Sequence, residues 1–145
     1  MKSKLIHQDG ERTFALVFDT GDEPMGSLSL FAKRLGLAGS HFTGIGAFSR
    51  VVLGYFDWKR KQYERIPMEE QVEVLSLVGD ISIADGEPAV HAHVVVGKAD
   101  GTAHGGHLLE AHVRPTLEVV LVESPVHLRR AHDAASGLPL IDLDA

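Results

Sequence analysis

None of the 145 residues is cysteine. Disulfides are therefore excluded, a reducing compartment fits, and His, Asp and Glu are left as the strong ligands for a metal. No apolar run approaches the roughly 20 residues that cross a bilayer. The opening Met1-Lys2-Ser3-Lys4-Leu5-Ile6-His7 also lacks the apolar stretch of a signal peptide, so a cytoplasmic protein without membrane contact is expected. Repeats and low-complexity segments are missing too, which predicts a single domain over residues 1–145. Positive charge is in short supply: 14 Lys and Arg stand against 20 Asp and Glu, a formal net charge of −6. Such a field repels polyanions unless the basic residues gather on one face.

Histidine is plentiful, with nine residues, and its placement carries the most chemistry. His91 and His93 lie two apart in the β-branched stretch Ala89 to Val96, so on a strand both imidazoles leave the same face. The Asp100-Gly101 turn doubles the chain back. Gly105-Gly106 then gives a backbone able to approach closely and aim His107 at the first two rings. Three neutral nitrogens from two adjacent strands suit Zn²⁺, with a fourth position left for water or substrate. His104, in the turn region, competes with His107 for the third place or stands at the rim of a pocket.

Earlier in the chain, Arg12 to Asp19 reads as a first strand closed by Thr20-Gly21-Asp22. A helix follows, with Asp22 as its cap, Pro24 in its first turn, a stripe of Met25, Leu28, Phe31, Ala32 and Leu35, and Gly36 as its stop. His41 to Asp57 is β-branched and aromatic and broken by glycines, predicting one long bent strand or two with a bulge. Gly44-x-Gly46 lacks the third glycine and following helix of a dinucleotide site. Gln62–Ile66, Gln71–Val78 and Ile81–Ala84, the last two split by a Gly79-Asp80 turn, are short strands with no helix between them, which implies an antiparallel meander. Beyond His107, Leu108 to Val113 and Thr116 to Glu123 flank Arg114-Pro115. Glu118 is the odd acid in an apolar strand, either bonded structurally or acting as partner or general acid/base beside a metal. Glu110 points away from His107 on a regular strand. Pro125 should end the strand, Val126–Ala135 reads as a short helix, and Leu138 to Leu143 reads as a short edge strand on this sheet or on a neighbouring subunit.

Taken in order, Phe42-Thr43-Gly44-Ile45-Gly46-Ala47, Leu53-Gly54-Tyr55-Phe56-Asp57, Val72 to Gly79, His91-x-His93 and Gly105-Gly106-His107-Leu108 resemble the PPC (plant and prokaryote conserved) domain. The resemblance implies an α/β (α+β) domain, a largely antiparallel sheet with one main helix packed on it, assembled as a homotrimer. It also implies a metal held by His91, His93 and His107. Plant members are DNA-associated through an AT-hook outside the domain; this chain has no such motif, and its basic residues are dispersed, with small clusters such as Lys59-Arg60-Lys61 and Arg129-Arg130. More distantly, the histidine pattern is similar to the zinc site of acetolactate decarboxylase. These readings lead to a protein with a three-histidine divalent metal site, zinc first, and, if that site is catalytic, to small-molecule lyase or hydrolase chemistry with Glu118, Arg114 and His104 as candidate helpers. The alternative is a DNA-associated regulator in which the metal is structural.

Overall fold

The computed structural model describes residues 1–124 and 126–144. Among them, nine strands share one sheet with one helix against it: β1 (Lys2–Asp9), β2 (Glu11–Asp19), α1 (Pro24–Leu35), β3 (Gly39–Asp57), β4 (Gln62–Met68), β5 (Val72–Ala84), β6 (Glu87–Gly97), β7 (Ala103–Glu123), β8 (Arg129–His132) and β9 (Pro139–Asp142). The sheet is antiparallel except where β8 runs parallel to β5. Strands β3, β5, β6 and β7 pair in a closed ring, because β3 and β6 each bond to both β5 and β7.

Alternation decides which side of the sheet becomes core. Phe14, Leu16 and Phe18 of β2, Ala92, Val94 and Val96 of β6, and Leu117, Val119 and Leu121 of β7 are all buried. Their neighbours in sequence face outward. Helix α1 closes the core with Leu28, Phe31 and Ala32, and the Phe31 ring meets Phe14 edge-on at 5.3 Å between centroids. The helix stops at Gly36, whose φ of 63° lies in the left-handed region that glycine enters without a Cβ penalty. Its cap is Glu23 rather than Asp22. The Glu23 carboxylate accepts from the Met25 and Gly26 amides at 3.1 and 2.6 Å, while Asp22 accepts from the Asp19 amide.

Several expected boundaries move. β1 was not anticipated, because every one of its eight residues is exposed and the stretch shows no apolar alternation. Gly79-Asp80 is no turn; β5 runs straight through it as a 13-residue strand. The glycine is there because a Cβ would collide with the Phe42 ring and stand 2.5 Å from the His91 carbonyl oxygen. β7 likewise continues through Arg114-Pro115 as 21 residues. The expected helix over 126–135 is instead a loop leading into β8, which pairs antiparallel with β9. Pro125, expected to end β7, lies outside the described residues.

Candidate metal centre

The histidines meet on the outer face of the ring. Across β6 and β7 the register sets His93 opposite His107, and Gly54 of β3 lies on the other side of His107. His91 follows His93 at the same-face spacing. One ring nitrogen from each of the three lies within 4.8 Å of the others. His107 stacks on His91 at 5.1 Å and on Tyr63 at 4.5 Å between centroids, while His93 stands perpendicular to both other imidazoles.

Glycine permits this approach. A Cβ on Gly106 would stand 2.8 Å from the Gly54 carbonyl oxygen, so any side chain there would push β7 off β3 and carry His107 with it. The turn behind it is held by Asp100, which accepts from the Thr102 amide at 2.9 Å. Gly101, with φ 81°, completes the reversal.

The electrostatics favour lone pairs over protons. Burial pushes the His107 imidazole down to about 4 from the usual 6.5, reinforced by His91 and then His93. Partial desolvation, with His91 second, also lowers His93. Both rings are therefore neutral at physiological pH, the form that binds a cation. His107 Nδ1 is buried without a hydrogen-bond partner, and coordination through it would remove the cost of that isolation. A donor set of three imidazoles that converge, resist protonation and leave a buried nitrogen unpartnered fits a borderline divalent ion such as zinc.

Outside these ligands, Asp80 on β5 faces His91 across the strand pair, with Oδ2 3.3 Å from His91 Nδ1. A proton assigned to Nδ1 donates to that carboxylate and leaves the Nε2 lone pair for a metal. Burial raises the Asp80 carboxyl, but hydrogen bonds from His91 and Arg130 outweigh it and hold the group below its ordinary range. A cavity of about 410 Å³ opens beside the rings, walled by Tyr63, Arg130, Leu138, Pro139 and Leu140.

Other candidate residues lie elsewhere. Glu118 is eleven positions beyond His107 on β7, about 36 Å at an ordinary strand rise, and faces outward beside Ile45. Arg114 is engaged with Gln71, donating from Nε at 2.7 Å. His104 pairs with Val96, outside the cluster, and contacts Thr102 Oγ1. Glu110 accepts from Arg65 at 2.6 Å. Asp80, Arg130 and Tyr63 were not foreseen as site residues. Asp80 sat within an apparent turn and Arg130 within an apparent helix.

The sequence model of the Plants and Prokaryotes Conserved (PCC) domain, the family also written PPC, matches residues 6–125. The chain belongs to this family. A PPC protein of Pyrococcus horikoshii is 35% identical and superposes with a TM-score of 0.85, covering 90% of this chain and 91% of its own. The metal-containing protein AF0104 of Archaeoglobus fulgidus is 34% identical, with a TM-score of 0.83 over 97% of this PPC chain and 99% of its own. A Bacteroides thetaiotaomicron protein provisionally described as DNA-binding is 26% identical, with a TM-score of 0.88 and 99% coverage of both chains. Among curated proteins, the bifunctional protein GlmU of Synechococcus sp. (strain JA-3-3Ab) is 32% identical over 129 residues, 87% of this chain. The PPC chain spans only 20% of that relative's length. The α-acetolactate decarboxylase of Bacillus subtilis shares the fold more loosely, at 13% identity and a TM-score of 0.55 over 76% of this chain and 51% of its own.

Proposed function

We propose that this PPC-domain protein holds a divalent cation, zinc in preference to others, on His91, His93 and His107, and uses it on a small molecule in lyase or hydrolase chemistry. The observation that carries the reading is the convergence of three imidazole nitrogens within 4.8 Å at the wall of a 410 Å³ cavity. A metal-containing relative of nearly the same length supports it. When bound, the ion would polarise a carbonyl or bring the pKa of water to about 7. The chain's own part is to present unprotonated rings, to orient His91 through Asp80, and to give the ligand an apolar wall at Leu138 and Leu140. Glu118 and Arg114 stand apart from this machinery. The absence of cysteine supports work in the cytoplasm.

We propose further that the protein is a homotrimer. Val17, Ile45, Leu75, Val78, Val95 and Val120 are exposed large apolar side chains, and the outer sheet face that bears them supports burial against another copy.

Metal content per chain, measured by plasma mass spectrometry on untagged protein, tests the site. Wild type is expected to hold about one zinc and His107→Ala close to none; equal content in both would remove these histidines from metal binding. The DNA-associated reading draws on the Bacteroides relative's description. Its test is a duplex shift assay at low salt: the acidic charge predicts no retardation at micromolar protein, and a salt-sensitive shift would restore the regulatory reading.

A further inference from the structure

The strands that roof the histidine cavity lie beyond the residues the family model matches, which end at 125. They are the β8–β9 hairpin, fastened to the body by backbone and side-chain hydrogen bonds. Backbone bonds join Ile83 N–H to the Leu128 carbonyl at 2.7 Å and Leu128 N–H to the Ala38 carbonyl at 2.9 Å. Lys61 reaches the Ala134 carbonyl from the β3–β4 turn.

Arg130 is the central fastening. Its side chain is only 9% exposed. Nε donates to Ser82 Oγ at 2.7 Å, Nη1 to the Pro139 carbonyl at 3.0 Å, and Nη2 to the two Asp80 oxygens at 2.8 and 2.9 Å, while Nη2 also lies 3.3 Å from His91 Nδ1. One planar guanidinium thus ties β9 and β5 together and grips the carboxylate that faces His91 Nδ1. An ammonium has one donor nitrogen and cannot reach these three directions at once. On the hairpin's other arm, Leu138, Pro139 and Leu140 give the cavity its apolar wall.

We propose that the β8–β9 hairpin is a working part of the site: Arg130 positions His91 through Asp80 and through its own contact with the His91 ring, and Leu138 with Leu140 selects ligands that carry a short aliphatic group beside their metal-binding oxygen. The inference rests on the metal reading above and goes beyond it by naming the positioning residue and the ligand class. Arg130 is a positioning residue, since it acts on the cation only through Asp80 and His91. The cavity takes a small carbonyl, carboxylate or hydroxamate compound whose oxygens meet the ion while its hydrocarbon lies on the leucines.

The test measures zinc affinity by chelator competition, with apo-protein melting as the control for folding. Arg130→Gln and Asp80→Asn are each expected to weaken zinc binding 10- to 100-fold, as outer partners of metal-bound histidines do. The double variant should be no weaker than the worse single one, because both act on one imidazole. Arg130→Lys should recover only part of the affinity. Acetohydroxamate and isovalerohydroxamate then probe the wall in zinc-loaded wild type. The branched compound is expected to bind up to about 50-fold more tightly when its three extra carbons are buried, and the Leu138→Ala/Leu140→Ala variant to lose that preference. Wild-type zinc affinity in a folded Arg130→Gln would overturn the positioning role while leaving the metal reading intact. Equal binding of the two hydroxamates to wild type would overturn the selecting wall. A wild type that binds no zinc would overturn both the inference and the reading beneath it.

Discussion

At the residue scale the histidine cluster trades stability for readiness to bind. His107 in the apo-protein titrates near 4 because burial, then His91 and His93, disfavour its charged form. An unfolded chain takes the same proton near 6.5. Between those values the unfolded state binds more protons, so stability falls as pH falls through 6.5 and levels off below 4. From pH 7.5 to 5 this single group is expected to remove about 2 kcal/mol from the metal-free protein. Urea unfolding of apo wild type and His107→Gln at the two pH values checks it: the variant should lose that much less. A matching loss in both would place the acid sensitivity elsewhere. Zinc should steepen the acid dependence, because protons and metal compete for the same lone pairs.

Among the elements, β7 shows most plainly what the order of residues can and cannot reveal. His91-x-His93 and Gly105-Gly106-His107 were legible because a two-residue period and a glycine pair each impose a direction on a side chain, and cross-strand register then brings the rings together. The single helix was legible from its apolar stripe and glycine stop. The strand breaks at Gly79 and Pro115 were misread, since glycine marks a close approach as readily as a turn, and the Phe42 ring that demands Gly79 is distant in sequence. Arg130 was illegible for a related reason: its partners Ser82 and Asp80 lie 48 and 50 residues away, and nothing local marks it. The same logic gives a prediction for Gly106. Adding one methyl there forces β7 from β3, and Gly106→Ala is expected to destabilise by about 1–3 kcal/mol and to release zinc as His107 shifts. Denaturant midpoints and metal content would show it. A Gly106→Ala protein as stable and as metal-rich as wild type would mean that the close approach to Gly54 does not hold the site together.

On the scale of the whole molecule, the sheet divides its faces unequally. The inner face is sealed by α1, whereas the outer one exposes Ile45 by 64% and Val120 by 46% and also carries the histidines. Val78 links the two regions, being the cross-strand neighbour of His93. A charge at Val78 would therefore disturb assembly and metal together. Ile45 separates them: it pairs with Glu118, far along β7 from His107. In the proposed trimer, Ile45→Asp would bury a carboxylate beside Glu118 against a neighbouring copy, a desolvation and like-charge cost of several kcal/mol. The variant is expected to sediment as a monomer of about 15.7 kDa with an unchanged circular dichroism spectrum, because residue 45 takes no part in the core. If the histidine site is complete within one chain, that monomer also keeps its zinc. A wild type that sediments as a monomer, or an Ile45→Asp protein that stays trimeric, would sink this use of the outer face. Loss of zinc on dissociation would instead show that a neighbouring copy completes the site.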